Sequence, residues 1–244
     1  MDRKYLMATT MLNYESEKIK SLISKRNWKE LDEFNKIRAI YSFVQNEILF
    51  GYNASDHLTA TQVLSDGIGQ CNTKATLLMA LLRAVGIPCR LHASNVTKDF
   101  QKGATNTIIA LLAPNFIVHT WVEVYFNEAW LALEGVILDK KYLISLQQKY
   151  PNQKGMFKGY AVATNCFDNP PVDWNGHDTF IQKEAIVFDY GIFSSPDDFF
   201  ATHEQDLCVF KKFIYSETNY DKECCKNKKY RCWKSGIKNH CFSG

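Results

Sequence analysis

At 244 residues with 46% apolar and 14% aromatic content, the chain has material for one large hydrophobic core or two small ones. The composition excludes a disordered or fibrous protein, and no apolar run approaches the ~20 residues that cross a bilayer as a helix. The net charge of +3 is unevenly spread: from Lys211 onward nine Lys and Arg face three acids, a net +6, leaving the first 210 residues at −3.

The opening residues Met1 to Ala8 lack the apolar core of a signal peptide, so a cytoplasmic protein is expected. Its eight cysteines then read as free thiols rather than a disulfide framework. Residues 11 to 50 read as helical. Leu12, Ile19, Leu22 and Ile23 mark one amphipathic stretch, and Leu31, Phe34, Ile37, Ile40, Tyr41, Val44 and Ile48 mark a longer one. Lys18, Lys20, Lys25 and Lys29 are the solvated face. Thr59-Ala-Thr-Gln62 matches a capping box for a short helix over 60–64.

The chain is organised around Asp66 to Pro88. Gly67 and Gly69 form a flexible approach to Cys71, and strong helix formers follow from Ala75 to Val85. Gly86 is placed for a left-handed C-terminal cap, and Pro88 forbids continuation. The run Leu77 to Val85 leaves almost no polar face, so the helix is predicted to be buried nearly all round. Cys71 then lies at the N-terminus of a central, immobile helix. Unpaired N–H groups and the positive dipole end favour a thiolate there, and hence a nucleophile. A buried structural cysteine is the bland alternative, the commoner fate of a lone Cys. The Gly-x-Gly approach is no dinucleotide fingerprint, because the third glycine is absent and no strand precedes it.

Cys89 to Val96 reads as a strand, with Leu91, Ala93 and Asn95 alternating against Arg90, His92 and Ser94. Residues 98–115 form a connection, helical in expectation near 108–112. Ile117 to Phe126 follows with a period of two: Val118, Val122, Val124 and Phe126 on one face, His119, Trp121, Glu123 and Tyr125 on the other. A two-residue turn at Asn127-Glu128 would set Val124 against Leu131, Val122 against Leu133 and Trp121 against Glu134. His119 and Glu134 become diagonal neighbours, whereas Asp139 falls beyond the ladder, before a helix over 140–148. Register therefore favours Glu134 as the partner of His119; a turn of odd length would reverse the parity and reopen Asp139. Further on, a strand is expected around Ile181 to Tyr190. Ser195-Pro196-Asp197-Asp198 reads as a capped short helix.

A cysteine at a helix start, a later histidine on a strand and a later acid make a Cys–His–acid constellation suited to nucleophilic acyl transfer. Gly-Gln-Cys71 with its Ala/Leu-rich helix ending Gly-Ile-Pro, then His119-x-Trp-Val-Glu-Val-Tyr, then Trp130 ahead of an acid, resemble the transglutaminase-like superfamily. The motifs span about residues 55 to 140, and the helical N-terminal portion suits a small bacterial-type member. The resemblance implies a papain-like α+β fold in which a central Cys-bearing helix packs on an antiparallel sheet. It also implies Cys71 as nucleophile, His119 as base and Glu134 as third member. The family usually has aspartate at the last position; the longer glutamate can play the same orienting role. For the oxyanion, the Cys71 N–H needs a second donor, with Gln70 and Trp121 the candidates.

The expected function is a thiol-dependent acyl transferase or hydrolase acting on a protein or peptide amide through a Cys71 thioester. The alternative is a binding or scaffold protein that keeps the fold without turnover. No cofactor or metal is expected. The cluster Cys224, Cys225, Cys232, His240 and Cys241 lacks the paired spacing of zinc modules. Residues 1–215 are read as one domain and 216–244 as a basic, Cys-containing tail, disordered or appended. Nucleic acid and membrane are not expected partners, and the sequence says nothing of oligomeric state.

Overall fold

The computed structural model describes residues 2–104 and 115–203. Two capped helices open it. α1 (Glu17–Lys25) starts where the Ser16 side chain accepts from the Ile19 N–H, and α2 (Glu33–Asn46) where Asp32 accepts from Asn35. Ile19 and Ile23 of α1, and Ile37, Ile40, Tyr41 and Val44 of α2, are turned into the core. β1 (Leu49–Phe50) then pairs in parallel with β2 (Ile68–Gly69). Between them lies α3 (Ala60–Asp66), opened by the expected Thr59–Gln62 capping box and closed by Gly67 at φ +66°.

α4 (Cys71–Ala84) begins at the cysteine itself, and every residue from Asn72 to Arg83 is buried. Leu77, Leu78, Met79, Leu81 and Leu82 are fully enclosed. Burying each such side chain stabilises the fold by about 1.5–3 kcal/mol. Gly86 follows at φ +83°. The main sheet comprises β3 (Cys89–Thr97), β4 (Phe116–Phe126), β5 (Ala129–Ala132) and β8 (Ile186–Phe193), antiparallel in the order β5-β4-β3-β8. α4 packs on β4 and β3 and also touches α2 and α3, so the core lies between the central helix, the sheet and the N-terminal helices. The fold is the α+β class expected, with the Cys-bearing helix against an antiparallel sheet. The remaining elements are α5 (Lys140–Lys149), the small hairpin β6 (Phe157–Gly159) and β7 (Val162–Thr164), and α6 (Pro196–Phe200), capped by Ser195.

Four local expectations are corrected. A strand does accompany the glycine approach: β2 contains Gly69 and pairs with β1. Alternation along β3 breaks at Ser94, which is fully buried while Asn95 is half-buried, because the pairing with β8 slips between Ala93 and Ser94 and again between Asn95 and Val96. The strand expected over 181–190 begins only at Ile186; residues 183–185 form a 3-10 turn. The β4–β5 ladder also stops short of Glu134. The Leu133 N–H still donates to the Val122 carbonyl (2.8 Å), but residues 134–136 wind into a 3-10 turn. The helix expected at 108–112, the boundary at 215 and the tail 216–244 lie outside the described residues.

Candidate functional site

Cys71 is the first residue of α4, half-buried, with its sulfur 3.5 Å from Asn72 Oδ1. The helix start is fixed from several directions. The Gln70 N–H donates to Thr73 Oγ1 (3.1 Å), and Thr73 Oγ1 donates to Asn53 Oδ1 (2.6 Å). Asn72 reaches across to the sheet, where its Oδ1 accepts from Thr120 Oγ1 (3.0 Å). The Gln70 side chain is engaged elsewhere: Oε1 accepts from the Asn53 N–H (2.9 Å) and Nε2 donates to Asp56 (2.8 Å). That corrects its candidacy as an oxyanion donor.

His119 is fully buried on β4, and its Nε2 lies 3.2 Å from Glu134 Oε1. The approach is close but poorly aligned for N–H donation. Such pairs commonly tighten when substrate binds. Nδ1, on the other side of the ring, has no aligned hydrogen bond among the described residues either; the Cys71 thiol also interacts with the ring. Burial works against protonation of this imidazole, but the Cys71 and Glu134 contacts outweigh it and hold its pKa up at about 9.

Glu134 is fully buried at the start of its 3-10 turn. The Ile181 N–H donates to Oε2, and the Gln182 N–H donates to both oxygens at 2.9 and 3.1 Å. Backbone donors thus satisfy the carboxylate and aim its remaining lone pairs toward His119. Asp139 does something else. It caps α5, accepting from the Tyr142 N–H, and also accepts from the Phe50 N–H, both at 2.9 Å.

Trp121 shares the His119 face, its ring centroid 5.7 Å from the imidazole and stacked at 4.1 Å on His92. Its Nε1 is buried with no hydrogen-bond partner among the described residues. Glu123 is no solvated mid-strand charge. It bonds His92 Nδ1 and Arg90 Nε, both at 2.7 Å, while His92 Nε2 meets Asp189 at 2.8 Å. Burial disfavours the His92 imidazolium, yet the two carboxylates prevail and raise its pKa. His57 packs at a tilt against Phe200, and His203 stacks on Phe199. Cys89 is fully buried, and that burial pushes its thiol up to about 11.

The comparisons with known proteins bear on this site. Residues 22–135 match the sequence profile of the transglutaminase-like superfamily. That segment, just under half of the chain, is transglutaminase-like. The matched segment ends one residue beyond Glu134, so it contains Cys71, His119 and Glu134. The uncharacterised protein YebA of Bacillus subtilis (strain 168) is 22% identical over 127 residues, covering 48% of this chain and 17% of YebA. Among solved structures, a candidate cysteine protease from Cytophaga hutchinsonii is 16% identical with a TM-score of 0.45, covering 80% of this chain and 47% of that one. Red sea bream transglutaminase is 17% identical with a TM-score of 0.29, over 42% and 22% of the two chains. The chain therefore spans less than half the length of each of these relatives.

Among the described residues no group of three or more His, Cys, Asp and Glu is placed to hold a metal ion, and no helix is long and apolar enough to cross a membrane. The Cys224–Cys241 cluster lies outside those residues. Sequence reasoning missed Lys74. It sits one turn after Cys71 and is fully buried, and its signal was a lysine just ahead of the apolar run Leu77 to Leu82 in the same helix.

Proposed function

We propose that this chain is a thiol enzyme that transfers or hydrolyses the acyl group of a protein or peptide amide through a Cys71 thioester. One observation carries the reading: Cys71, at the start of α4, interacts with the buried His119 ring, whose far nitrogen lies 3.2 Å from Glu134. The Cys71 sulfur attacks the amide carbonyl carbon, and negative charge gathers on the carbonyl oxygen. The Cys71 N–H, free at the helix start, is one donor for that oxyanion, and the unpartnered Trp121 Nε1 is the candidate for a second. As the C–N bond breaks, His119 gives its proton to the leaving nitrogen through the ring atom facing away from Glu134. Water or an acceptor amine then gives a proton back to His119 and attacks the thioester, and the thiolate leaves. Glu134 keeps the ring oriented throughout.

The extra methylene of Glu134 does not part it from the ring, which weakens the ground for a non-catalytic scaffold. Free thiols at Cys71, Cys89 and Cys166 suit a cytoplasmic setting. The test offers panels of amide, peptide and amine-donor substrates to wild type and Cys71→Ala, with intact-mass detection of an acyl adduct. Turnover and a hydroxylamine-sensitive adduct in wild type alone are expected. Equal background in both proteins would leave the fold with a binding role.

A further inference from the structure

Lys74 is the fully buried lysine of the central helix α4, which also buries Arg83. Among the described residues no carboxylate pairs with Lys74. Its Nζ donates to three backbone carbonyls: Gln45 at 3.1 Å, Val136 at 3.1 Å and Ile137 at 2.9 Å. Gln45 lies in the last turn of α2; Val136 and Ile137 come just after Glu134 and Gly135. Three acceptors suit an ammonium, which donates three N–H groups, and not a neutral amine, which donates two. Burial pulls its pKa down to about 7, with the Asp139 charge opposing. Asp139 itself is engaged by the Phe50 and Tyr142 N–H groups. A leucine or methionine would fill this space without a charge to desolvate. The chain instead keeps a lysine and leaves room for it: a Cβ on Gly69 would lie 2.9 Å from Lys74 Cγ.

Two of the three carbonyls it holds, Val136 and Ile137, belong to the end of the turn that carries Glu134. Another carbonyl of that turn, Gly135, accepts from Gln45 Nε2 (3.1 Å), and the Glu134 and Gly135 N–H groups donate to the Thr179 carbonyl at 3.1 and 3.2 Å. Gln45 and Thr179 fasten the turn to α2 and to the 179–182 segment. Lys74 is its hydrogen-bonded link to α4, the helix that carries Cys71.

We propose that Lys74 is a positioning residue: its ammonium ties the Glu134 turn to the Cys71 helix and so sets the spacing across Cys71, His119 and Glu134. The proposal rests on the reading of those three residues as the reacting centre. A loosened turn would let the Glu134 carboxylate drift from Nε2, and the ring would lose the partner that fixes its protonated orientation.

The test uses the full chain with Lys74→Met, read by NMR titration of His119 and by the pH profile of Cys71 alkylation with iodoacetamide. The variant is expected to melt cooperatively, with His119 titrating well below about 9 and Cys71 alkylation at neutral pH slowed about tenfold or more. A folded variant with wild-type titration and profile would reduce Lys74 to a packing residue and overturn the proposal. If Lys74→Met does not fold, Lys74→Gln, which keeps two N–H donors without the charge, is read in the same way. The wild type supplies a further measurement: a slowly exchanging ammonium 15N resonance for Lys74 at a pH below its pKa of about 7 is expected, and exchange at the rate of surface lysines there would remove the tether. The His119 titration needs no substrate. Uniform alkylation of all wild-type cysteines would therefore count against the catalytic reading, while the tether is still decided by the titration.

Discussion

Glu134 Oε1 lies 3.2 Å from His119 Nε2, both side chains fully withdrawn from solvent. The pair joins two adjacent strand regions through a two-residue turn, Asn127-Glu128, with φ of 47° and 63°. Positive φ at both positions is the type I′ geometry, whose twist matches that of the flanking strands. The turn fixes register from Phe126↔Ala129 to Glu123↔Ala132, and the chain then leaves the ladder just where the carboxylate must reach the imidazole.

Replacing either acid separates orientation from folding. Glu134→Gln should keep a cooperative fold but lower turnover on any substrate found, by roughly 10²–10⁴, because the imidazole loses the anion that selects its tautomer. Asp139→Asn should leave the reaction alone. The asparagine oxygen can still cap α5 at the Tyr142 N–H, but its NH₂ then faces the buried Phe50 N–H, which loses its acceptor, a loss of about 1–3 kcal/mol in stability. Denaturant titration beside Cys71 alkylation rates measures both effects. Asp139→Asn slowing alkylation more than Glu134→Gln would exchange the two roles.

Among the cysteines, Cys71 should react first. It is half-buried beside an imidazole that is protonated at neutral pH, whereas Cys89 is enclosed with its thiol held up at about 11. Brief iodoacetamide treatment at pH 7 followed by peptide mass spectrometry should show Cys71 modified well before Cys89 and Cys166. Equal labelling would remove the claim of an activated thiol.

Much of this arrangement was legible because it follows from short-range rules. The 59–62 capping box, the Gly86 cap, the period-two faces of β4 and the Asn127-Glu128 turn all depend on neighbouring residues, and each formed as expected. What sequence hid depends on distant backbone. The Ile181 and Gln182 N–H groups that hold the Glu134 carboxylate come from a segment expected to be strand. The pairing slip in β3 comes from extra residues in β8, nearly a hundred positions away. Lys74 was legible as an oddity, but the three carbonyls it binds could not be found before the fold brought them together.

His119 gives a pH signature with a definite sign. Its pKa of about 9 in the folded protein lies above the ordinary 6.5. The stability it contributes is therefore fully present below about 6.5 and lost as pH rises through about 9. Lys74 runs the other way: burial lowers it to about 7 from 10.5, so its penalty is full below 7 and fades toward 10.5. The two partly cancel in wild type. The stability gap between wild type and His119→Gln isolates the first, and it should shrink as pH is raised from 7 to 10. By NMR, His119 should titrate near 9 in wild type, and lower in both Glu134→Gln and Cys71→Ala. Titration near 6.5 in wild type would mean that the ring is not held between those two groups.

Two glycines on either side of α4 are required for different reasons, and alanine tells them apart. At Gly86 the backbone is left-handed at φ +83° and nothing lies within 4 Å of an added Cβ. Gly86→Ala should cost about 1 kcal/mol from backbone strain alone and leave Cys71 reactivity unchanged. At Gly69 the backbone is ordinary, but an added Cβ would sit 2.9 Å from both Lys74 Cγ and Thr73 Oγ1. Neither neighbour yields easily. Lys74 is pinned by three carbonyls, and Thr73 Oγ1 by the Gln70 N–H and Asn53 Oδ1. Relief must come from the helix start, so Gly69→Ala should cost about 1–3 kcal/mol as overpacking and also slow Cys71 alkylation by displacing the thiol. For a chain of this size that is a fall in Tm of about 2–4 °C per kcal/mol. Thermal melts and alkylation rates of the two variants, measured side by side, decide the matter: equal melting losses with equal Cys71 rates would mean that Gly69 leaves no special room for Lys74.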